Sequence, residues 1–125
     1  MPHVQVAGPC RIAAYWETFE PAIDRGGDRI VRSITAYLAR SENRLLVECT
    51  VIEGFLRQVF LVEMIQRDGG ALVRLFHGSM PEKTAGVRYC LAWIAAGLCA
   101  QDPACSWDAR NLGIDLPPTL GPPAN

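Results

Sequence analysis

Hydrophobic and polar positions alternate along the middle of the chain, and this alternation predicts β-strands. From Leu45 to Ile52 every second residue is apolar, while Glu48 and Thr50 lie between the apolar positions. A period of two places one row of side chains on a buried face and the other on an open face, as in an antiparallel strand covered on one side. Segments rich in β-branched residues flank this one, so we predict strands over 29–39, 45–52, 55–66 and 71–77.

The clearest turn signal is Arg67-Asp68-Gly69-Gly70, because glycine adopts the positive φ that tight hairpins require. A helix over 51–67 is the alternative, since Thr50-Val51-Ile52-Glu53 fits the capping-box pattern and Gly69 would end such a helix. The β-branched residues in this window and the internal Gly54 favour strands.

An uninterrupted apolar segment from Tyr89 to Ala100 predicts a helix that is buried on all sides. These twelve residues include no charge, amide or carboxylate, whereas a surface helix keeps a polar face. Ser79-Met80-Pro81-Glu82 fits a capping box with proline in the first turn, and Asp102-Pro103 ends the segment. The sequence therefore predicts a C-terminal helix over 80–101 that must be covered by the chain itself, a second copy, another protein or an apolar ligand.

The two ends of the chain carry weaker signals. Gly8-Pro9 and the segment from Cys10 to Phe19 indicate a helix, with a strand as the alternative. Beyond Cys105 the prolines and glycines argue against a ladder or helix, and 117–125 is predicted to be a disordered, proline-rich tail. We expect one α+β domain over 1–116, in which an antiparallel meander of four to five strands packs on the long C-terminal helix, with an N-terminal helix or strand alongside.

Charge excludes some classes of partner. The net charge is −1. The densest basic group consists of Arg25, Arg29 and Arg32, and Asp24 and Asp28 lie beside these arginines in the sequence. Nucleic-acid binders usually carry a basic face, so we expect neither a nucleic acid nor an anionic membrane as partner.

Targeting and metal signals are weak as well. The N-terminus has no signal-peptide pattern, and the run from Tyr89 is shorter than the roughly 20 residues that span a bilayer. Five cysteines at irregular spacing fit neither a disulfide framework nor a zinc site. We therefore predict a cytoplasmic protein with reduced core cysteines, no metal and no cofactor.

Three groups of residues are candidates for function. Tyr89, Trp93, Ala96 and Gly97 share a side of the predicted helix, where aromatic and small residues would suit an interface. If intramolecular packing does not cover them, a partner does.

The second group consists of the charged residues Glu48, Arg57, Glu63 and Arg74, which interrupt the apolar strands. Opposite charges on neighbouring strands pair on a solvent-facing sheet, and this is the simpler interpretation. On a concave or covered face the same residues would line a ligand pocket.

The third group is His77 and Ser79, at the predicted start of the helix. A helix N-terminus attracts anions, although an ordinary capped helix explains the same residues. His77 is also the sole histidine placed to assist a cysteine or carboxylate in catalysis.

From these patterns we expect a small, non-enzymatic interaction or accessory protein, homodimeric, that uses an apolar helix or sheet face to bind itself or another protein. One alternative is a binding module with an apolar small molecule between a curved sheet and the helix. The other is a small enzyme that uses His77.

Overall fold

Seven antiparallel strands form one curled sheet, and a long helix lies against its inner face. The structure is a computed structural model, in which residues 1–117 and 120 are described. In chain order the elements are β1 (His3–Ala7), α1 (Ile12–Glu17), β2 (Ala22–Gly26), β3 (Arg29–Leu38), β4 (Arg44–Glu53), β5 (Leu56–Arg67), β6 (Gly70–Leu75), α2 (Ala85–Cys99), β7 (Ser106–Asp108) and a 3₁₀ turn (Arg110–Leu112). Across the sheet the order is β2-β3-β4-β5-β6-β1-β7.

The predicted meander is confirmed, and the sheet is larger than predicted. β3 to β6 match the four predicted strands, and β4 and β5 pair across Gly54, which excludes the helix over 51–67. The additional strands β1, β2 and β7 are three to five residues long. Segments this short show little periodicity of their own, and they pair because longer strands offer them free edges.

The N-terminal segment from Cys10 to Phe19 forms the predicted helix and not its strand alternative, and a strand lies on either side of it. α1 is a helix of six residues, shorter than the predicted span from Cys10 to Phe19, and it lies between β1 and β2. β7 also corrects the expectation that no ladder forms beyond Cys105, because Trp107 pairs with Val6 of β1 and is buried.

The start of α2 differs from the prediction of a helix over 80–101. Thr84 is the N-cap, and its hydroxyl accepts a hydrogen bond from the Val87 N–H at 3.2 Å. The Ser79 hydroxyl accepts instead from the Leu61 N–H at 2.8 Å. β6 pairs with β5 only from Val62 onward, so Ser79 satisfies a donor on the part of β5 that β6 leaves unpaired. The predicted capping box is therefore wrong, and it belongs to a segment that covers a strand edge.

The core lies between α2 and the inner face of the sheet. Leu91 and Leu98 of α2 have no exposed surface, and neither have Val47, Val62 and Val73 from three successive strands. The curl of the sheet, together with α1 and the chain after α2, covers most of the apolar helix. Of the predicted tail 117–125, Pro117 and Leu120 are described and Leu120 packs against the core; the rest of the predicted tail lies outside the described residues. No helix in the described part of the chain is long and apolar enough to cross a membrane.

Candidate functional site

The outer face of the sheet, turned away from α2, carries an unusual mixture of side chains between β2 and β5. Strand register aligns them in two cross-strand rows, which we call the outer patch: Arg25–Ile30–Ile52–Arg57 and Ile23–Arg32–Thr50–Val59. Ile23 and Val59 are half exposed, at 49% and 53%. Ile23, Ile30 and Ile52 line a groove of about 640 Å³ on this face. Because an outer sheet face normally carries polar side chains, this apolar groove makes the outer patch the candidate functional site.

The charges of the outer patch are all positive. Arg25, Arg32 and Arg57 are exposed, and none of them forms an ion pair within residues 1–117 and 120. The two rows contain no carboxylate, and the nearest one along β4 is Glu48, in the next row. An arginine-bearing apolar surface of this kind complements an acidic partner.

Thr50 lies in the centre of the outer patch and is 1% exposed. Its Oγ1 is buried without a hydrogen-bond partner among the described residues. Buried hydroxyls are normally hydrogen-bonded, and an unpaired one costs free energy.

Asp24, which precedes Arg25 in the sequence, faces the interior instead. The Asp24 carboxylate accepts a hydrogen bond from the Tyr89 hydroxyl of α2, and the Arg29 guanidinium lies 3.7 Å from the centre of the Tyr89 ring. Burial and the neighbouring Asp24 carboxylate raise the pKa of Tyr89 to about 12. These contacts fasten the β2–β3 hairpin to the helix and remove Asp24 from the outer face.

Glu53, at the end of β4, also turns inward and binds the start of α2. Its carboxylate accepts from the Thr84 hydroxyl and from the Gly86 N–H, the latter at 3.0 Å. A carboxylate at a helix N-terminus is stabilised by free N–H groups and by the helix dipole. The observed N-terminus of α2 is therefore occupied by a carboxylate of the same protein.

His77 and Ser79 consequently do not form the predicted anion site. His77 is exposed in the turn after β6, and Ser79 is bonded to β5, whereas α2 begins only at Ala85. The helix starts later than the sequence pattern indicates, so the argument for an anion from a helix N-terminus does not apply to His77 and Ser79.

The charged residues of the predicted ligand pocket do not surround one cavity. Glu63, only 2% exposed, pairs with Arg74 at 3.0 Å and with Arg44 at 3.2 Å. Glu48 and Arg57 lie elsewhere on the outer face, and Arg57 is part of the outer patch. Glu63 and Arg74 are thus a cross-strand ion pair, and Arg44, which the sequence reasoning missed, completes it from the neighbouring strand.

The predicted interface residues of α2 have different surroundings. Tyr89 is buried under the β2–β3 hairpin, whereas Trp93 and Gly97 lie between two clefts. One cleft, of about 300 Å³, is bordered by Tyr15 and other residues of the α1 segment. The second, of about 470 Å³, is bordered by Ala96, Asp24, Arg25 and Leu120. The chain itself therefore borders Trp93 on both sides.

The five cysteines are free thiols, and four of them are buried: Cys10, Cys49, Cys90 and Cys99. Burial and the neighbouring Cys105 raise the pKa of Cys10 to about 11, and burial raises the pKa of Cys90 well above its usual range. A thiol with a raised pKa is a poor nucleophile at neutral pH. Among the described residues, no group of three acidic, histidine or cysteine side chains is placed to hold a metal ion.

Comparison with known proteins gives no relative: no family model, curated protein or solved structure matches this chain.

Proposed function

We propose that this protein is a non-enzymatic interaction module that binds a protein partner through the outer patch. The observation that carries the proposal is the groove formed by Ile23, Ile30 and Ile52 on the sheet face that does not pack on the helix. Exposed apolar grooves with a polar rim are typical of protein-binding surfaces.

The chemistry of the described residues favours binding over catalysis. The exposed His77 is separated from the buried thiols of Cys49 and Cys90, and the buried carboxylate of Glu63 is neutralised by arginines. General acid–base catalysis needs such groups within hydrogen-bond reach of one another or of substrate. A histidine enzyme is therefore not proposed.

Charge favours a partner other than a second copy at this surface. In a twofold dimer the same patch meets itself, so a surface that carries Arg25, Arg32 and Arg57 would meet a second surface with the same three positive charges. Like charges brought together in an interface cost binding free energy. A different protein that supplies carboxylates avoids this repulsion.

Site-specific photocrosslinking in cells of the source organism tests the proposal. The photoreactive amino acid p-benzoylphenylalanine replaces Val59 or, as the matched control, Tyr37, which is equally exposed on the same face but outside the outer patch. We expect a discrete adduct from position 59, its loss when Ile52→Lys is added, and no such adduct from position 37. The absence of an adduct at 59, or the same adducts from both positions, would contradict the proposal.

Self-association through the helix, as predicted from the sequence, is the alternative proposal. The clefts beside Trp93 and Gly97 are the observation that favours it. Light scattering over a range of concentrations tests it, with dimers that Trp93→Ala abolishes as the supporting result. A monomer at every concentration would exclude it.

A further inference from the structure

We infer that the outer patch recognises an extended acidic segment of the partner, in which two carboxylates flank one apolar residue in the pattern acidic-x-apolar-x-acidic. The inference rests on the proposed function, because it specifies the chemistry of the segment that occupies the same surface.

The first argument is that the patch arginines lack a carboxylate partner of the kind that Arg44 and Arg74 share on this face. Arg44 and Arg74 both bind Glu63. Arg25, Arg32 and Arg57 are exposed and without an ion pair in the described part of the chain. Guanidinium groups bind carboxylates in a bidentate manner, so an acidic segment supplies what the chain does not.

The second argument is spacing. Arg25 and Arg57 end a row that crosses four strands, β2 to β5. Three strand spacings separate these two positions by about 14 Å. In an extended segment the side chains at i and i+4 point the same way and are also about 13–14 Å apart. A segment that runs along the row therefore places two carboxylates at the two arginines at once.

The third argument concerns the centre of the row. Ile30 and Ile52 lie between the two arginines and line the groove. The side chain at i+2 of the segment lies midway between the carboxylates, so it meets these two isoleucines. An apolar residue at that position and the two isoleucines both lose water-exposed area in the contact, which favours binding.

The shape of the surface favours a peptide over a lipid bilayer. Ile30 and Ile52 are partly buried at the floor of a groove, which an extended peptide can enter and a flat bilayer surface cannot. Ile23, Val59 and Phe55 are exposed beside the groove, as are the apolar side chains that membrane-binding surfaces insert. Vesicles rich in phosphatidylserine are therefore an alternative that the test must exclude.

The probe is an acetylated, amidated peptide containing Glu-Thr-Val-Thr-Glu, titrated into the full chain while backbone amide NMR shifts are recorded. We expect saturable shifts confined to β2–β5, with binding weakened about tenfold in Arg25→Gln/Arg57→Gln, equivalent to about 1.4 kcal/mol. The matched control is Arg40→Gln/Arg67→Gln, which removes the same charge from two exposed arginines outside the patch. The control should bind within about twofold of the parent, because screening weakens attraction between distant charges.

Two further peptides test the pattern. Lys-Thr-Val-Thr-Lys reverses the charge, and Glu-Glu-Thr-Val-Thr keeps the composition but alters the spacing. If either binds as well as the first peptide, or if phosphatidylserine vesicles shift the same amides more strongly, the inference is wrong. If no peptide binds but the photocrosslink from position 59 forms, the inference fails and the proposed function stands. If the crosslink is also absent, both fail.

Discussion

Asp24 and Arg25 are neighbours in the chain, but their side chains lie on opposite faces of the sheet. Asp24 binds Tyr89 in the interior, and Arg25 belongs to the outer patch. In the sequence these opposite charges are adjacent, so the basic group that includes Arg32 does not predict a binding face. Recognising the patch requires knowing that residues 22–26 form a strand, and five residues show too little periodicity for that.

At the scale of single residues, Tyr89→Phe should lower the free energy of unfolding by about 1–3 kcal/mol, because it removes a hydrogen bond to a carboxylate. The effect should depend on pH. The pKa of Tyr89 rises from 10.0 to about 12 on folding, so the protonated phenol is the form that folding favours. The contribution of the Tyr89 hydroxyl to the free energy of unfolding is complete below pH 10 and is lost as the pH rises from 10 toward 12.

Denaturant unfolding at several pH values between 7 and 12 measures this contribution as the difference between the parent and Tyr89→Phe. That difference should shrink above pH 10. Tyr37→Phe is the control, because Tyr37 is 54% exposed. A difference that is constant with pH would mean that Tyr89 is not held by Asp24.

Thr50→Val should leave stability unchanged or raise it by up to about 1 kcal/mol, because valine has a similar shape and removes a buried hydroxyl without a partner. Thermal unfolding compared with Thr35→Val, on the same face of the neighbouring strand, provides the measurement. A clear loss of stability specific to Thr50→Val would show that Oγ1 makes a hydrogen bond in solution.

At the scale of elements, the long strands could be predicted and the helix boundary could not. Each of β4 and β5 spans at least ten residues, and this length gives a periodicity that local signals do not obscure. The segment before α2 contains two residues able to cap a helix, Ser79 and Thr84. Only tertiary contacts decide between them: Glu53 approaches Thr84, and Leu61 approaches Ser79.

The two serine/threonine positions should therefore respond differently to substitution. Thr84→Ala removes an N-cap and should destabilise the protein by about 1 kcal/mol, with faster hydrogen exchange at the Val87 amide. Ser79→Ala should instead accelerate exchange at the Leu61 amide and leave Val87 protected. Hydrogen exchange followed by NMR separates these outcomes, and faster exchange at Val87 in Ser79→Ala would contradict the assigned cap.

The β5–β6 hairpin offers a matched pair of glycines. A Cβ at Gly70 would lie 1.9 Å from the carbonyl oxygen of Val6, whereas a Cβ at Gly69 meets nothing within 4 Å. Gly70→Ala must therefore push β1 away from β6, while Gly69→Ala only strains a positive φ of 77°.

We expect Gly69→Ala to cost about 1 kcal/mol, the usual penalty for a left-handed alanine, and Gly70→Ala to cost clearly more. Chemical denaturation gives both values. Equal losses in the two variants would show that β1 can move away without cost, which the burial of Val4 and Val6 argues against.

At the scale of the whole molecule, other segments of the same chain cover most of the apolar run from Tyr89 to Ala100. The sequence correctly predicts that this helix needs cover, but it cannot show that a sheet of seven strands curls far enough to supply most of it. With the inner face used in this way, the exposed apolar groove lies on the outer face. The candidate site therefore lies on the sheet and not on the helix, because the fold itself covers Tyr89.

The thiols provide a test of this arrangement over the whole molecule. Cys10, Cys49, Cys90 and Cys99 are buried, and Cys105 alone is partly exposed. Reaction with a thiol reagent needs both access and a thiolate, and the pKa of the thiol is raised at Cys10, Cys90 and Cys99 by burial.

At pH 8 one thiol per chain should therefore react quickly with a chromogenic disulfide, and Cys105→Ser should abolish that phase. The remaining four should react only as fast as the protein unfolds, so that denaturant and Gly70→Ala accelerate them together. If mass spectrometry shows Cys49 or Cys90 modified as early as Cys105, the helix does not lie closed against the sheet.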